Sequence, residues 1–114
     1  MPNSQRVTLL QQRDQKRHET RLRLWDETRL SLALALRELL PGARVWLYGS
    51  LTRRGVFNPG SDVDLALTEE PSGKTIWRLQ AELEERLHRP VDLVLLHETR
   101  LRDKILREGE EWMT

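Results

Sequence analysis

From Asn3 to Leu40 the chain contains neither Gly nor Pro, and straight-chain helix formers dominate. The pattern predicts one long helix, or two in succession. In its second half Leu22, Trp25, Leu32, Leu36 and Leu39 recur at the spacing of a single helical face. Arg29 interrupts that stripe, where an apolar residue is expected. Pro41-Gly42 ends the run. The first half, including Gln11-Gln12-Arg13-Asp14-Gln15-Lys16-Arg17, is almost entirely polar and cannot form a core. It is expected to be a solvated extension or a surface for a partner.

Arg44-Val45-Trp46-Leu47-Tyr48 reads as a strand running into a turn at Gly49-Ser50. Leu51 to Gly60, with two Gly, a Pro and the adjacent Arg53 and Arg54, reads as a short helical turn followed by a loop. Asp62-Val63-Asp64-Leu65-Ala66-Leu67 predicts a second strand. Ser72 is a candidate N-cap for a helix whose buried stripe is Ile76, Leu79, Leu83 and Leu87, broken by Pro90. Val91 to Leu96 predicts a third strand, apolar enough for a central place in a sheet. Thr99 is a candidate cap for a final helix carrying Leu101 and Ile105, with Gly109 near its end, and the Glu108 to Glu111 cluster is expected to be solvated. There is no internal repeat. The order of elements predicts an α/β fold, with helices packed on a small mixed sheet.

Composition narrows the function classes. A length of 114 residues suits one domain, divided into a polar basic helical extension, 1–23, and the domain proper, 24–114. With 38% hydrophobic and 32% charged residues the chain is polar yet able to fold. A formal net charge of +1 gives no global argument for nucleic-acid or membrane binding. The absence of Cys excludes disulfides, thiolate metal sites and a cysteine nucleophile. It fits a reducing compartment. No apolar run spans a bilayer, and residues 1–12 lack the core of a signal peptide, so a cytoplasmic location is expected. His18, His88 and His97 are scattered without metal-ligand spacing. Trp25, Trp46, Trp77 and Trp112 lie on separate elements, as core or interface anchors rather than a base-stacking platform. The basic excess between Arg6 and Arg23 reads as a solvated helix face, with an RNA or acidic-partner contact as the alternative.

The candidate chemistry lies in the acidic residues of the apolar strands. Side chains alternate along a strand, so Asp62 and Asp64 are expected on one face, with Val63, Leu65 and Leu67 on the other. Asp92 stands second in the third strand. Carboxylates converging at one sheet end repel one another unless a cation neutralises them. A hard divalent ion with oxygen ligands does so and leaves positions open for phosphates. At Gly49-Ser50, glycine allows close backbone approach to a phosphate and serine offers a hydroxyl donor, with Arg53 and Arg54 as added charge. Taken singly, Gly-Ser is usually a turn, Asp-x-Asp a solvated strand end, and Asp92 a strand-opening residue after Pro90. Their joint order along the elements is what points to a site.

That order, Gly49-Ser50, eleven intervening residues, Asp62-Val63-Asp64 and the later strand residue Asp92, resembles the signature of the DNA polymerase β-type nucleotidyltransferase superfamily. Within it, the short length and the stretches Tyr48 to Arg53 and Ser61 to Leu67 most resemble the minimal nucleotidyltransferase (MNT) proteins, over about Val45 to Trp112. The resemblance implies a polymerase β-like nucleotidyltransferase fold. It implies two Mg²⁺ ions held with the triphosphate by Asp62 and Asp64, with Asp92 joining at the catalytic metal and helping to activate the acceptor hydroxyl. Gly49 and Ser50 would hold the triphosphate tail of ATP, with Arg53 a candidate phosphate contact. It also implies an antitoxin that silences a helical HEPN-domain RNase toxin by AMP transfer to a tyrosine hydroxyl. The loop before Asp62 departs from the family pattern, being one residue longer with Arg54 in place of Gly. The extension over Asn3 to Arg23 is a second departure. Two other readings stand beside this one: a nucleotidyltransferase acting on RNA or tRNA ends, and a non-catalytic module that neutralises a toxin by binding it.

Overall fold

A single helix, α1 (Leu9–Leu39), accounts for the Gly- and Pro-free run. The structure is a computed structural model that describes residues 8–114. The part of the expected helix before Thr8, with Arg6, lies outside the described residues. Thr8 opens α1 with a capping box: its hydroxyl accepts from the Gln11 backbone, and the Gln11 side chain accepts from Thr8 N–H in return. Leu32 and Leu36 are fully buried, and Leu24, Trp25 and Leu39 pack partly against the same core. Residues 8–21 are exposed, as their polarity requires.

The remaining elements are β1 (Arg44–Tyr48), a 3₁₀ turn (Gly49–Thr52), β2 (Val63–Leu67), α2 (Ile76–Leu87), β3 (Val91–Leu95), α3 (Arg102–Glu108) and β4 (Glu110–Met113). They form one mixed sheet in the order β3-β2-β1-β4. β1 runs antiparallel to β2 and β4, while β2 and β3 are parallel and joined through α2. One sheet face carries Val45, Leu47, Val63, Leu65, Leu67, Leu93 and Leu95, and meets α1 and the α2 residues Leu79 and Leu83. At about 2 kcal/mol for each fully buried Leu, this interface dominates the fold. On the other face Ala66 and Leu96 pack with Ile105 of α3, beside Trp46, Tyr48 and Val94.

The structure corrects four local expectations. β3 is an edge strand, not a central one. Its outward N–H groups are covered by α2 side chains: Val91 N donates to Glu84 Oε2 at 3.1 Å and Leu93 N to Gln80 Oε1 at 3.3 Å. That cover lets an apolar strand occupy an edge. The cap of α2 is Thr75 rather than Ser72, its hydroxyl accepting from Arg78 N. Thr99 accepts from Leu101 N, closing the turn before α3 instead of capping it. Of the Glu108 to Glu111 cluster, expected to be solvated, Glu108 and Glu111 are exposed, but Glu110 opens β4 and takes Arg29 as a partner at 2.7 Å. This pairing also explains an arginine on the apolar stripe of α1.

Candidate active site

The site forms where β1 ends and β2 and β3 begin, on the α3 side of the sheet. Register places Tyr48 opposite Asp64 and Asp64 beside Asp92, so the three residues form a row across β1, β2 and β3. Neighbours in such a row are about 4.8 Å apart along the hydrogen-bonding direction. Val63, Leu65 and Leu67 are buried on the face opposite Asp64, as strand parity predicts for β2. Asp62 immediately precedes β2 and is exposed, as is Asp92, whereas Asp64 is half-buried.

Charge and burial converge on Asp64. Its carboxyl is raised to about 6, first by desolvation and then by Asp92 and Asp62. The Tyr48 phenol is pushed up to about 12 by burial, with Asp92 and Asp64 adding to the effect. Asp64 thus feels both of the other carboxylates. Even so, no set of three His, Cys, Asp or Glu side chains among the described residues closes on one point as a metal-ligand group. Like charges keep apart, and two of the three stand in solvent.

Gly49 follows Tyr48 at φ +75°, and a Cβ there would collide with the Asp64 carboxylate. The positive φ calls for glycine, and any Cβ there would have to push the Asp64 carboxylate aside. The turn is held by Thr52, whose hydroxyl donates to Gly49 O at 2.7 Å, and by Arg53 N, which donates to Ser50 O at 3.0 Å. In front of it lies a cavity of about 730 Å³, walled by the turn and β1 on one side and by α3 on the other. Gly49, Ser50, Arg53 and Asp64 line it, while Asp62 and Asp92 stand outside the lining. Arg53 faces the cavity. Arg54 instead approaches the Trp25 ring, 5.9 Å from its centroid, so the two arginines do not act on the same side.

The profile of the family "Polymerase beta, Nucleotidyltransferase" matches residues 42–113. The chain belongs to this family of nucleotidyltransferases. Among solved structures, a chain described as a minimal nucleotidyltransferase is 30% identical, with TM-score 0.61, over 75% of this chain and 93% of that one. A toxin–antitoxin structure with AMP-PNP is 27% identical, with TM-score 0.58, over 74% of this chain and 72% of that one. A complex of tri-AMPylated Shewanella oneidensis HEPN toxin with MNT antitoxin shares the fold at 21% identity and TM-score 0.55, over 79% and 73% of the two chains. No curated protein matches the chain.

The nucleotidyltransferase fold thus presents its Gly-Ser turn and its Asp-bearing strands at one sheet end. Three cavity residues had no sequence signal strong enough to find them. Lys104 and Glu108 come from α3, and Glu110 from β4, the strand that sequence periodicity missed. A final helix following the Asp92 strand is the one hint that could have brought Lys104 forward. None of the described helices is long and apolar enough to cross a membrane.

Proposed function

We propose that this nucleotidyltransferase transfers AMP from ATP to a hydroxyl on a partner protein, a tyrosine of a HEPN-type toxin, and acts in the cytoplasm as its antitoxin. The observation that carries the reading is the Gly49-Ser50 turn set against Asp64 with no room for a Cβ, beside the Asp64–Asp92 pair. A phosphate-binding turn next to paired carboxylates is stable with its ligand only if cations lie between the two. The donor set is all oxygen, which suits Mg²⁺, and such ions would relieve the charge crowding that, after burial, raises Asp64. Asp62, Asp64 and Asp92 would hold two ions. When bound, these would neutralise the triphosphate and the charge developing at the α-phosphorus.

The protein's own groups do the rest. Gly49 and Ser50 bind the triphosphate tail, and Arg53 and Lys104 supply positive charge from opposite walls of the cavity. Asp92 orients the acceptor hydroxyl and takes its proton. The acceptor oxygen bonds to the α-phosphorus, the bond from that phosphorus to the β-bridging oxygen breaks, and pyrophosphate leaves. Tyr48, held neutral by its raised phenol, keeps its hydroxyl proton and can donate a hydrogen bond at the site. The toxin–antitoxin relative with AMP-PNP, at 27% identity, supports an adenine nucleotide and a toxin as partner.

The test is to incubate the protein with labelled ATP, Mg²⁺ and the product of the adjacent reading frame, then locate the label by mass spectrometry. AMP on a partner tyrosine is expected. Label on RNA alone would overturn the acceptor assignment and assign an RNA-binding role to the exposed half of α1, where residues 9–23 carry five Lys and Arg against two acids. Equal protection of cells by native protein and by a variant with all three aspartates changed to Asn would favour neutralisation by binding alone.

A further inference from the structure

One polar cluster outside the carboxylate site is built with unusual completeness. Trp25 Nε1 and Arg29 Nη1, one turn apart on α1, both donate to the same acceptor, the backbone carbonyl of Leu51, at 2.8 and 3.0 Å. Leu51 is the third residue of the Gly49–Thr52 turn, and its side chain is fully buried. The carbonyls in the last turn of a helical segment lack partners within it, so these side chains satisfy a group that the turn cannot satisfy itself.

The donors are themselves fixed. The Arg29 guanidinium lies 4.5 Å from the centroid of Trp25 and 5.1 Å from that of Trp112. Its two terminal nitrogens bind Glu110 as a fork, at 3.1 and 2.7 Å, and Trp112 Nε1 donates to the same carboxylate at 3.2 Å. Arg54, just beyond the turn, approaches the ring of Trp25 as well. A planar fork between two indoles has little rotamer freedom left to lose, so the cluster behaves as a rigid bracket.

We propose that Trp25 and Arg29 are positioning residues for nucleotide binding, which through Leu51 O hold the Gly49-Ser50 turn at the distance from Asp64 that the triphosphate requires. The inference rests on Gly49-Ser50 being the nucleotide turn. Trp25 and Arg29 do not line the cavity and touch no reacting atom. Glu110, which does line it, keeps a negative charge near the phosphate path, and Arg29 neutralises it.

The experiment measures KM for Mg·ATP and kcat in AMP transfer, together with thermal stability, for native protein, Trp25→Phe, Arg29→Lys, and the pair Arg29→Met with Glu110→Gln. Trp25→Phe keeps an aromatic ring under Arg29 but removes the indole N–H together with part of the ring surface. It is expected to raise KM about tenfold, as loss of one buried hydrogen bond predicts, with kcat at saturation within about twofold and little change in melting temperature. Arg29→Lys is expected to follow the same pattern more strongly, because an ammonium cannot reproduce the fork. The double variant stays impaired if Leu51 O is the target. Restoration of native KM in the double variant would mean that Arg29 only screens Glu110, and would overturn the proposal. So would a Trp25→Phe protein with lowered stability and native KM. Failure of the native protein to transfer AMP would instead contradict the functional reading itself, a separable outcome.

Discussion

Asp64 stands where three effects compound: partial burial, the register neighbour Asp92 and the nearby Asp62, all of which penalise its charge. A carboxyl raised from 3.8 to about 6 corresponds to about 3 kcal/mol if fully buried, and solvent screening of this half-exposed group reduces that to about 1 kcal/mol. Because the folded-state value lies above the unfolded one, the stabilisation is present below about pH 4 and is lost as pH rises through 6. Metal-free native protein is therefore expected to lose stability between about pH 4 and 6, with the change complete by about pH 7. Asp64→Asn removes that loss while reducing transfer about 10²- to 10³-fold, the scale for losing one charge-stabilising group. Thermal melts across that pH range, with and without the substitution, check the first part. Gly49→Ala is expected to abolish ATP binding in titration calorimetry, since its Cβ would displace the Asp64 carboxylate. The aspartates were legible in the sequence because strand parity is a local rule of period 2. Lys104, Glu110 and the partnership of Arg29 were not, since each depends on elements distant in sequence meeting in space.

Among the elements, β4 shows how little local pattern a real strand needs. Glu110-Glu111-Trp112-Met113 has low strand propensity, yet β1 pairs with it through four residues, and Thr114 N donates to Ala43 O at 2.8 Å. Its hinge is Gly109, where a Cβ would stand 2.6 Å from Ile105 O and 2.9 Å from Leu47 O. Both are backbone atoms, so neither can rotate away. Gly109→Ala is expected to cost about 2–3 kcal/mol in denaturant unfolding, and to raise the KM for ATP because Glu110 leaves Arg29. The opposite expectation holds for the start of α1. Residues 8–21 are exposed, so deleting residues 1–17 should change stability by less than about 1 kcal/mol. A larger loss would contradict the view of this half of the helix as an extension. The edge place of β3 was illegible for a related reason: its apolar pattern reports contact with α2, and says nothing of how many strands lie beyond it.

For the whole molecule, one side of the sheet is a conventional core and the other is divided between a small cluster under α3 and the acidic row. Family membership and the geometry of that row together define the central claim: a triphosphate is bound at Gly49-Ser50 and cleaved at its α-phosphorus with metal held by Asp62, Asp64 and Asp92. If so, Mg²⁺ at ten times its dissociation constant should stabilise the native protein by about 1.4 kcal/mol, and chelation should reverse the shift. The most direct measurement uses ATP labelled on either the α- or the γ-phosphate, with Mg²⁺ and the product of the adjacent reading frame. Stable label is expected on the acceptor from α-labelled ATP and none from γ-labelled ATP, with the α-label reduced about 10²- to 10³-fold by Asp64→Asn. Transfer of the γ-label, or α-label transfer undiminished by Asp64→Asn, would contradict the central claim.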